Sequence, residues 1–272
     1  MDYWKKQRWT YALAVLPALI FLALQVWPLG QATVSALTDK TGHLTMANVD
    51  RVFGDRLFIR GIGYSLLVPV VSVTLEAAIG LAMALWFYEF RRGKTFWRTI
   101  AILPFAVPEI VYLLTMKLVF RQHGYLNSLL FAVGGEQAMV NWLSPDSPLM
   151  VGLIILVDAW RVTPIVFLIV LTGLEQIPVS FIEAARIDGA NRFQIAGHVL
   201  VPLVLPALAV ALALRAVDAF RIFATPLVLV GVDAMPVLTS VAYKYKVDQY
   251  DAPAANVTAL TLAAFLMAAA LA

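Results

Sequence analysis

The sequence has 272 residues, of which 61% are hydrophobic and 14% are charged, and an average soluble domain carries about 25% charged residues, so this composition excludes an ordinary soluble core. It contains no cysteine, which excludes a disulfide, a thiolate metal site and a cysteine nucleophile. The formal net charge is +3, but the basic residues flank apolar segments, where they set orientation and contact lipid headgroups rather than nucleic acid.

Six apolar segments are long enough to cross a membrane, since a spanning helix needs about 20 predominantly apolar residues. Only helices and closed barrels satisfy their backbone polar groups in lipid, and the alternation typical of a barrel is absent. The sequence therefore predicts an all-α, polytopic membrane bundle of about six transmembrane helices. The predicted spans are 11–29, 62–87, 99–120, 149–172, 203–230 and 254–272.

The first span is interpreted as a permanent anchor rather than a cleaved signal peptide. It is long, and no small-residue cleavage site stands before Gln31. Dense basic clusters in short segments mark the cytoplasmic side, and such clusters precede spans one and three. We therefore expect a multi-pass protein with a cytoplasmic N-terminus. The clusters consist of Lys5, Lys6 and Arg8, and of Arg91, Arg92, Lys94 and Arg98.

Several ionisable residues lie near the middle of predicted spans three to five, where such residues usually face a cavity or a partner. Asp158 and Arg161 are three residues apart on one helix, so they are predicted to neutralise each other on one face. The same spacing predicts a pair between Arg215 and Asp218. Two interpretations stay open, a polar translocation path and a set of ion pairs that hold helices together; for the second pair we favour the structural one. The residues are Glu109, Asp158, Arg161, Arg215 and Asp218.

A polar stretch separates spans four and five and predicts two short helices joined by a tight turn. Ser180 and Glu183 have the spacing of a capping box that opens the first helix. Gly189 then supplies the left-handed conformation that commonly ends a helix. Asn191, with Gln194 three residues later, is predicted to cap a second helix that runs toward Pro202. Such a pair of helices outside the bilayer forms a compact element suited to docking.

The first of these helices carries Ala184 and Ala185, which we expect to form a buried face that lets another protein's backbone approach closely. Glu183 has two open interpretations, a contact with a partner and a simple helix cap. A second segment, 76–80, begins with the same three letters, Glu76-Ala77-Ala78, but it lies in the middle of span two without a cap or a trailing proline. We therefore do not assign it a docking role.

The stretch resembles the "EAA" loop of ATP-binding-cassette import permeases. The resemblance is carried by Glu183-Ala184-Ala185, Asp188-Gly189-Ala190 and Val199-Leu200-Val201-Pro202. The first anchor and residues 243–256 resemble the first of the two permease types in such systems. Three further segments are similar to the sugar-type permeases of this family. They are Leu16-Pro17-Ala18, Ile102-Leu103-Pro104 and Gly173-Leu174-Glu175-Gln176-Ile177-Pro178.

This resemblance implies the fold of a type I importer permease in a bacterial or archaeal plasma membrane. Its implied units are an N-terminal anchor and extracytoplasmic segment over 1–60 and a core permease domain over 61–272 with a coupling loop at 173–203. The implied partners are a second homologous permease, two ABC ATPase subunits, an extracytoplasmic solute-binding protein and membrane lipid. The residues implied to couple to the ATPase are Ser180, Glu183, Ala184, Ala185, Asp188, Gly189 and Pro202.

The resemblance also implies a carbohydrate substrate, a sugar or polyol, whose hydroxyls would meet the charged residues while Trp160 stacks on an apolar sugar face. The implied ATP and Mg²⁺ belong to the partner ATPase, and no cofactor is expected in this chain. Consistently, the sequence has no phosphate loop ending in Gly-Lys-Ser or Gly-Lys-Thr. The three histidines, His43, His123 and His198, are too scattered to suggest a metal site. We therefore expect no enzyme activity in this chain.

Alternatives to a sugar importer stay open at this point. One is an importer of the same architecture for an amino acid, a polyamine or an anion. Another is an ion-coupled secondary carrier that uses Asp158 and Glu109 as proton sites, which predicts transport that follows the proton gradient without nucleotide. A membrane-embedded enzyme would need a catalytic set that the sequence does not offer.

Overall fold

A computed structural model describes residues 2–39, 41–89 and 94–271, and over these ranges the chain is helical with no regular strand. The predicted all-α fold class is confirmed. Arg91 and Arg92 of the predicted basic cluster lie outside the described residues. The helices are α1 (Asp2–Ala36), α2 (Ala47–Phe53), α3 (Arg56–Tyr88), α4 (Lys94–Ala106), α5 (Glu109–Phe120), α6 (Tyr125–Gly134), α7 (Met150–Glu175), α8 (Val179–Ile187), α9 (Arg192–Ile195), α10 (Val201–Phe220), α11 (Ala224–Leu229), α12 (Leu238–Tyr243) and α13 (Ala252–Leu271).

Within these ranges four helices are long and apolar enough to cross a membrane, and a fifth crossing results if α4 and α5 with its continuation form one broken span. The fourth helix is a composite, because α9 continues through a π-helical turn at Ala196–Leu200 into α10. The sixth predicted span corresponds to α13, whose apolar part, Ala252–Ala268, is shorter. The four long helices are Val15–Ala36, Arg56–Tyr88, Met150–Glu175 and Arg192–Phe220.

Two predicted spans are wrong in their continuity. The span predicted at 99–120 breaks where α4 ends at Ala106 and α5 begins at Glu109, and the two parts are bent by 85°. Pro108 lies in the break, and its ψ is 132°. The helix ends here because proline lacks an N–H and keeps the residue before it out of the helical region. The span predicted at 203–230 ends at Phe220, and α11 follows as a separate short helix.

The packing of α3 against α7 forms the centre of the bundle. A Cβ placed on Gly80 would lie 2.8 Å from Val166 Cγ1, and one on Gly173 would lie 2.6 Å from Ala207 Cβ. Glycine at these two positions lets neighbouring backbones approach closely, which is the usual basis of helix association in lipid, where no hydrophobic force draws helices together.

Two of the buried clusters mark opposite ends of the bundle. At one end Phe87 and Phe167 pack edge to face, with ring centroids 5.0 Å apart, above Ile177 and Ile182 at the start of the 173–203 loop. At the other end Ala36, the last residue of α1, shares a cluster with Phe58 and Ala254 near the starts of α3 and α13. Because α1 ends where α3 begins, the N-terminus of α1 points toward the end that carries the 173–203 loop.

Candidate functional site

The first helix of the 173–203 loop begins two residues earlier than the sequence predicts. Pro178 precedes α8 with ψ at 134° and makes no side-chain cap, and Val179 is the first helical residue. Ser180 therefore lies within the first turn, where its hydroxyl does not receive the amide that a capping residue would receive. The predicted capping box between Ser180 and Glu183 is wrong, so Glu183 has no capping role here.

The turn between the two helices has the predicted geometry. Gly189 has φ at +82°, and the amides of Gly189 and Ala190 donate to the carbonyls of Arg186 (3.1 Å) and Ala185 (2.9 Å), the two bonds of a Schellman ending. The next helix opens with the predicted capping box. The Asn191 side chain accepts from the Gln194 amide at 3.0 Å, and the Gln194 side chain accepts from the Asn191 amide at 2.8 Å.

The face of α8 that carries Ala184 and Ala185 is not buried as the sequence predicts. Ala184 and Glu183 are exposed and Ala185 is half-buried, because Ile182 is the residue that packs into the cluster beneath the loop. Neighbouring apolar side chains are exposed as well: Phe181 at 50%, Ile187 at 87% and Phe193 at 72%. A rigid pair of short helices with an exposed apolar rim and a central carboxylate has the character of a protein-binding surface.

This surface connects directly to a membrane span. Asp188 caps the C-terminus of α8 and is exposed. Pro202 lies at the start of α10, immediately after the π-helical turn at Ala196–Leu200. Because α9 and α10 form one composite helix, Pro202 lies within that helix and removes one donor from its hydrogen-bond ladder. The two residues therefore mark the two ends of the connection from docking surface to span.

A polar cavity of about 440 Å³ lies inside the bundle between α5, α7, α10 and α11. All five charged residues singled out from the sequence line this cavity, and Arg221 joins them. The helices thus bring together side chains that are more than 100 positions apart in sequence. The charged lining consists of Glu109, Asp158, Arg161, Arg215, Asp218 and Arg221.

The charges of α7 do not pair with each other as predicted. Arg161 Nη2 instead lies 3.2 Å from Glu109 Oε1 on α5. Asp158 accepts a hydrogen bond of 3.0 Å from the Thr225 hydroxyl on α11. The Glu109 carboxylate and the Thr225 hydroxyl, on the neighbouring helices α5 and α11, lie within hydrogen-bond distance of Arg161 and Asp158. They take the place of the partner that the spacing along α7 predicted. The Arg161 Nε is buried and has no hydrogen-bond partner among the described residues, whereas the side chain as a whole is 16% exposed.

The partner of Arg215 is a residue that sequence reasoning missed. Glu76 on α3 is fully buried and binds Arg215 with both oxygens, at 2.6 Å to Nε and 3.0 Å to Nη2. The predicted pair with Asp218 is looser, at 3.6 Å to a side chain that is 62% exposed. A signal for Glu76 was present, since a carboxylate in mid-span needs a partner.

Trp160 lies apart from the charged residues. It lines a separate apolar cavity of about 250 Å³ between α3, α4 and α7, together with Trp86 and Trp97. One residue along a helix rotates the side chain by about 100°, so Trp160 and Arg161 face different neighbours. This geometry does not bring Trp160 to the polar cavity.

A larger cavity, of about 1220 Å³, runs along the C-terminal half of α1 and the 249–253 segment. It contains none of the sequence-predicted path residues, so its size gives no reason to place the path there. Over residues 2–39, 41–89 and 94–271, no group of three or more His, Cys, Asp or Glu side chains is placed to hold a metal ion.

Comparisons with known proteins agree with this arrangement. Residues 76–272 match the family described as binding-protein-dependent transport system inner membrane component. The chain is 35% identical over 229 residues to the trehalose/maltose transport system permease protein MalF of Thermococcus litoralis, covering 80% of this chain and 76% of that protein. It is 29% identical over 234 residues to the trehalose transport system permease protein SugA of Mycobacterium tuberculosis, covering 83% and 74%.

Two solved structures share the fold. The bacterial alginate ABC transporter, in complex with an alginate pentasaccharide-bound periplasmic protein, superposes with a TM-score of 0.87 at 20% identity, covering 100% of this chain and 95% of the other. The inward-facing MetNI methionine ABC transporter superposes with a TM-score of 0.59 at 22% identity, covering 79% and 92%.

Proposed function

Because the chain belongs to the family of binding-protein-dependent transport system inner membrane components, we propose that it forms part of the path by which an ATP-driven importer moves a sugar or polyol across the membrane. The observation that carries the proposal is the polar cavity enclosed by α5, α7, α10 and α11. Relatives named for trehalose and maltose support a carbohydrate substrate.

Family membership makes this chain a multi-pass membrane component and not the ATPase of its importer. It replaces the alternatives of an ion-coupled carrier and a membrane-embedded enzyme. An amino acid, polyamine or anion as substrate has weaker support, since the relatives described above are named for trehalose and maltose transport.

We propose that the path uses the residues left with hydrogen-bonding capacity in the cavity. Sugar hydroxyls can accept from the guanidinium of Arg161, whose side chain lines the cavity and is 16% exposed, and donate to the carboxylates of Glu109 and Asp218. Asp158, which is held by Thr225, fixes the wall of the cavity. We leave Trp160 out of the path, because it lines the separate apolar cavity.

The proposed ATPase contact is the exposed surface of α8 and α9. Its members are the coupling residues inferred above, Ser180, Glu183, Ala184, Ala185, Asp188, Gly189 and Pro202. In the proposed assembly this chain pairs with a second homologous permease, two ABC ATPase subunits and an extracytoplasmic binding protein. The ATPase subunits would hold ATP and Mg²⁺, and this chain would hold no cofactor.

We propose that the end of the bundle with the 173–203 loop faces the cytoplasm of a bacterial or archaeal cell. The start of α1 points to the same end, which supports a cytoplasmic N-terminus and agrees with the basic residues early in the sequence. Arg98 and Glu175 form an ion pair there, between the start of α4 and the end of α7. The division into an anchor unit at 1–60 and a core unit at 61–272 stays a proposal.

The test is purification of the tagged chain from native membranes, identification of the proteins that accompany it, and reconstitution of the assembly in liposomes. The expected result is an accompanying ATPase and uptake of a labelled sugar. This uptake should require ATP in the compartment that the ATPase subunits face. Accumulation of solute by liposomes that hold this chain alone would contradict the proposal, as would an assembly without any ATPase.

A further inference from the structure

We infer that Glu76 and Arg215 form an internal joint that carries the movement of the 173–203 loop to the walls of the polar cavity. The inference rests on the proposed function, because it assumes that an ATPase moves this loop. It assigns the two residues a positioning role, with neither required to touch the substrate.

The pair ties α3 to α10 through two short hydrogen bonds in a buried place. The Glu76 side chain is fully buried and that of Arg215 is 5% exposed. The hydroxyl of Ser72, one turn away on α3, donates to the same carboxylate at 2.9 Å. A bidentate arginine–carboxylate pair fixes the relative orientation of its partners as well as their distance, so α3 and α10 cannot shift independently while it is intact.

Arg215 sits on the helix that begins at the docking surface. The composite helix Arg192–Phe220 starts next to the turn at Gly189 and continues through the π-helical turn at Ala196–Leu200 to Arg215. At a rise of about 1.5 Å per residue, the 23 steps from Arg192 to Arg215 cover roughly 35 Å. A displacement of the loop can therefore be delivered to Arg215 as a rigid-body movement of one helix.

From the pair, contacts lead on to the cavity walls. Arg215 Nη2 lies 3.9 Å from Asp158 Oδ2 on α7, and the Ser72 hydroxyl lies 3.3 Å from the same oxygen. Asp158 in turn binds Thr225 on α11. One guanidinium group thus sits where α3, α7, α10 and α11 meet, and three of these helices line the polar cavity.

Stability alone is a poor reason to place this pair here. Buried ion pairs are often no more stabilising than well-packed apolar residues of similar volume, and charges in mid-membrane are costly to insert. What an ion pair of this geometry adds is a fixed relation between helices. The placement of Arg215 on the loop-connected helix gives that relation a use.

The decisive variants remove both charges together. In the double variant Glu76→Gln/Arg215→Gln the two charges of the pair are removed together, and the buried Asp158 keeps its hydrogen bond from Thr225. The assembly should form and hydrolyse ATP, whereas the amount of sugar moved per ATP should fall roughly tenfold, within the range found for residues that carry coupling between sites. The control is Glu136→Gln, an exposed carboxylate outside the cavity, which should leave this ratio unchanged. If the double variant moved as much sugar per ATP as the wild type, the inference would be wrong, and the pair would only hold α3 and α10 together.

A second measurement uses the wild-type pair and does not depend on the variants folding. Because this chain has no cysteine, spin labels can be placed on it at Ala78→Cys on α3 and Leu214→Cys on α10, both exposed positions. The distance between the labels should be the same in the nucleotide-free and ATP-bound assembly. Small helix shifts amount to about 1–2 Å, so a change of several ångströms in the distance between the labels would contradict the inference that α3 and α10 move together. Failure of the proposed function would look different, since the unlabelled wild-type assembly would then show no ATP-dependent sugar uptake.

Discussion

Arg161 on α7 and Glu109 on α5 are joined by an ion pair of 3.2 Å across the polar cavity. Glu109 is the first residue after the 85° bend between α4 and α5, so the bend places this carboxylate at the cavity wall. The pair uses one nitrogen of Arg161 and leaves its Nε without a partner among the described residues. The Arg161 side chain lines the cavity and is 16% exposed, so we propose its guanidinium as the donor to a solute.

Replacement of Arg161 by Gln should reduce sugar uptake by about tenfold, since a hydrogen bond from a charged donor contributes about 1.5–3 kcal/mol and about 1.4 kcal/mol corresponds to a factor of ten. Assembly with the partner chains should be preserved, because Glu109 is 42% exposed and can be rehydrated. Uptake by reconstituted assemblies, normalised to the amount of assembly, measures the effect. Arg121→Gln, at an exposed arginine beyond α5, is the matched control. Loss of assembly with unchanged specific uptake would instead identify a structural ion pair.

The helical class and the apolar composition of the spans could be predicted from the sequence because long apolar segments have few structural options in lipid. The number of spans could not, since about six were predicted and the described residues have four long apolar helices, or five with the broken pair. The gathering of Glu109, Asp158 and Arg215 around one cavity also followed, since mid-span charges avoid lipid and converge on a polar interior. Their pairing did not follow. Local spacing suggested pairs along one helix, whereas α3, α5 and α11 supply the partners, and only the tertiary arrangement decides which helices are neighbours.

The errors at helix ends have a local physical cause. The helix α8 begins after Pro178, two residues earlier than predicted, so Ser180 is not in the capping position. Pro108 breaks a segment that is apolar enough to read as one span. Gly189 and Asn191 were predictable because each conformation depends on the residue itself, the left-handed backbone in one case and a side-chain cap in the other. The role of Glu76 was hidden because its partner is 139 positions away.

Replacement of Glu183 by Gln should abolish most ATP-coupled uptake without destabilising the chain. Glu183 is exposed and makes no capping bond, and surface substitutions of this kind usually change stability by less than about 0.5 kcal/mol. The loss would therefore report a contact of its charge with the ATPase. Uptake, ATPase retention on purification and thermal stability are measured together, with Glu89→Gln, an exposed carboxylate at the end of α3, as control. Full uptake by the Gln variant would exclude docking through this charge.

Replacement of Gly189 by Ala should weaken both the 173–203 loop and its hold on the ATPase. Its φ of +82° places a Cβ in the left-handed region, at a cost of about 1–2 kcal/mol. Gly197→Ala is the control, because that glycine lies in a helical segment with no atom within 4 Å of an added Cβ, and alanine favours helix. The thermal unfolding temperature and the amount of ATPase that stays bound on purification should fall for Gly189→Ala and not for Gly197→Ala. Equal behaviour of the two variants would show that the left-handed turn is not required.

Alkaline pH should loosen the contact between the start of α3 and the segment that follows α12. The Tyr245 hydroxyl donates to Asp55 Oδ2 at 2.5 Å, and burial, with help from this bond, raises the pKa of Tyr245 above its ordinary value. A folded-state pKa above the unfolded one, which is about 10, means that the stabilisation is complete below pH 10 and is lost as pH rises toward the folded-state pKa. Tyr245→Phe should lower the free energy of unfolding by about 1.5–3 kcal/mol, as expected for a bond to a charged acceptor, and should remove this part of the alkaline loss. Thermal unfolding measured from pH 7 to pH 11 tests both effects. The control is Tyr250→Phe, because Tyr250 is 89% exposed. If the unfolding temperature fell equally with rising pH in the wild type and in Tyr245→Phe, Tyr245 would not be responsible for the alkaline loss of stability.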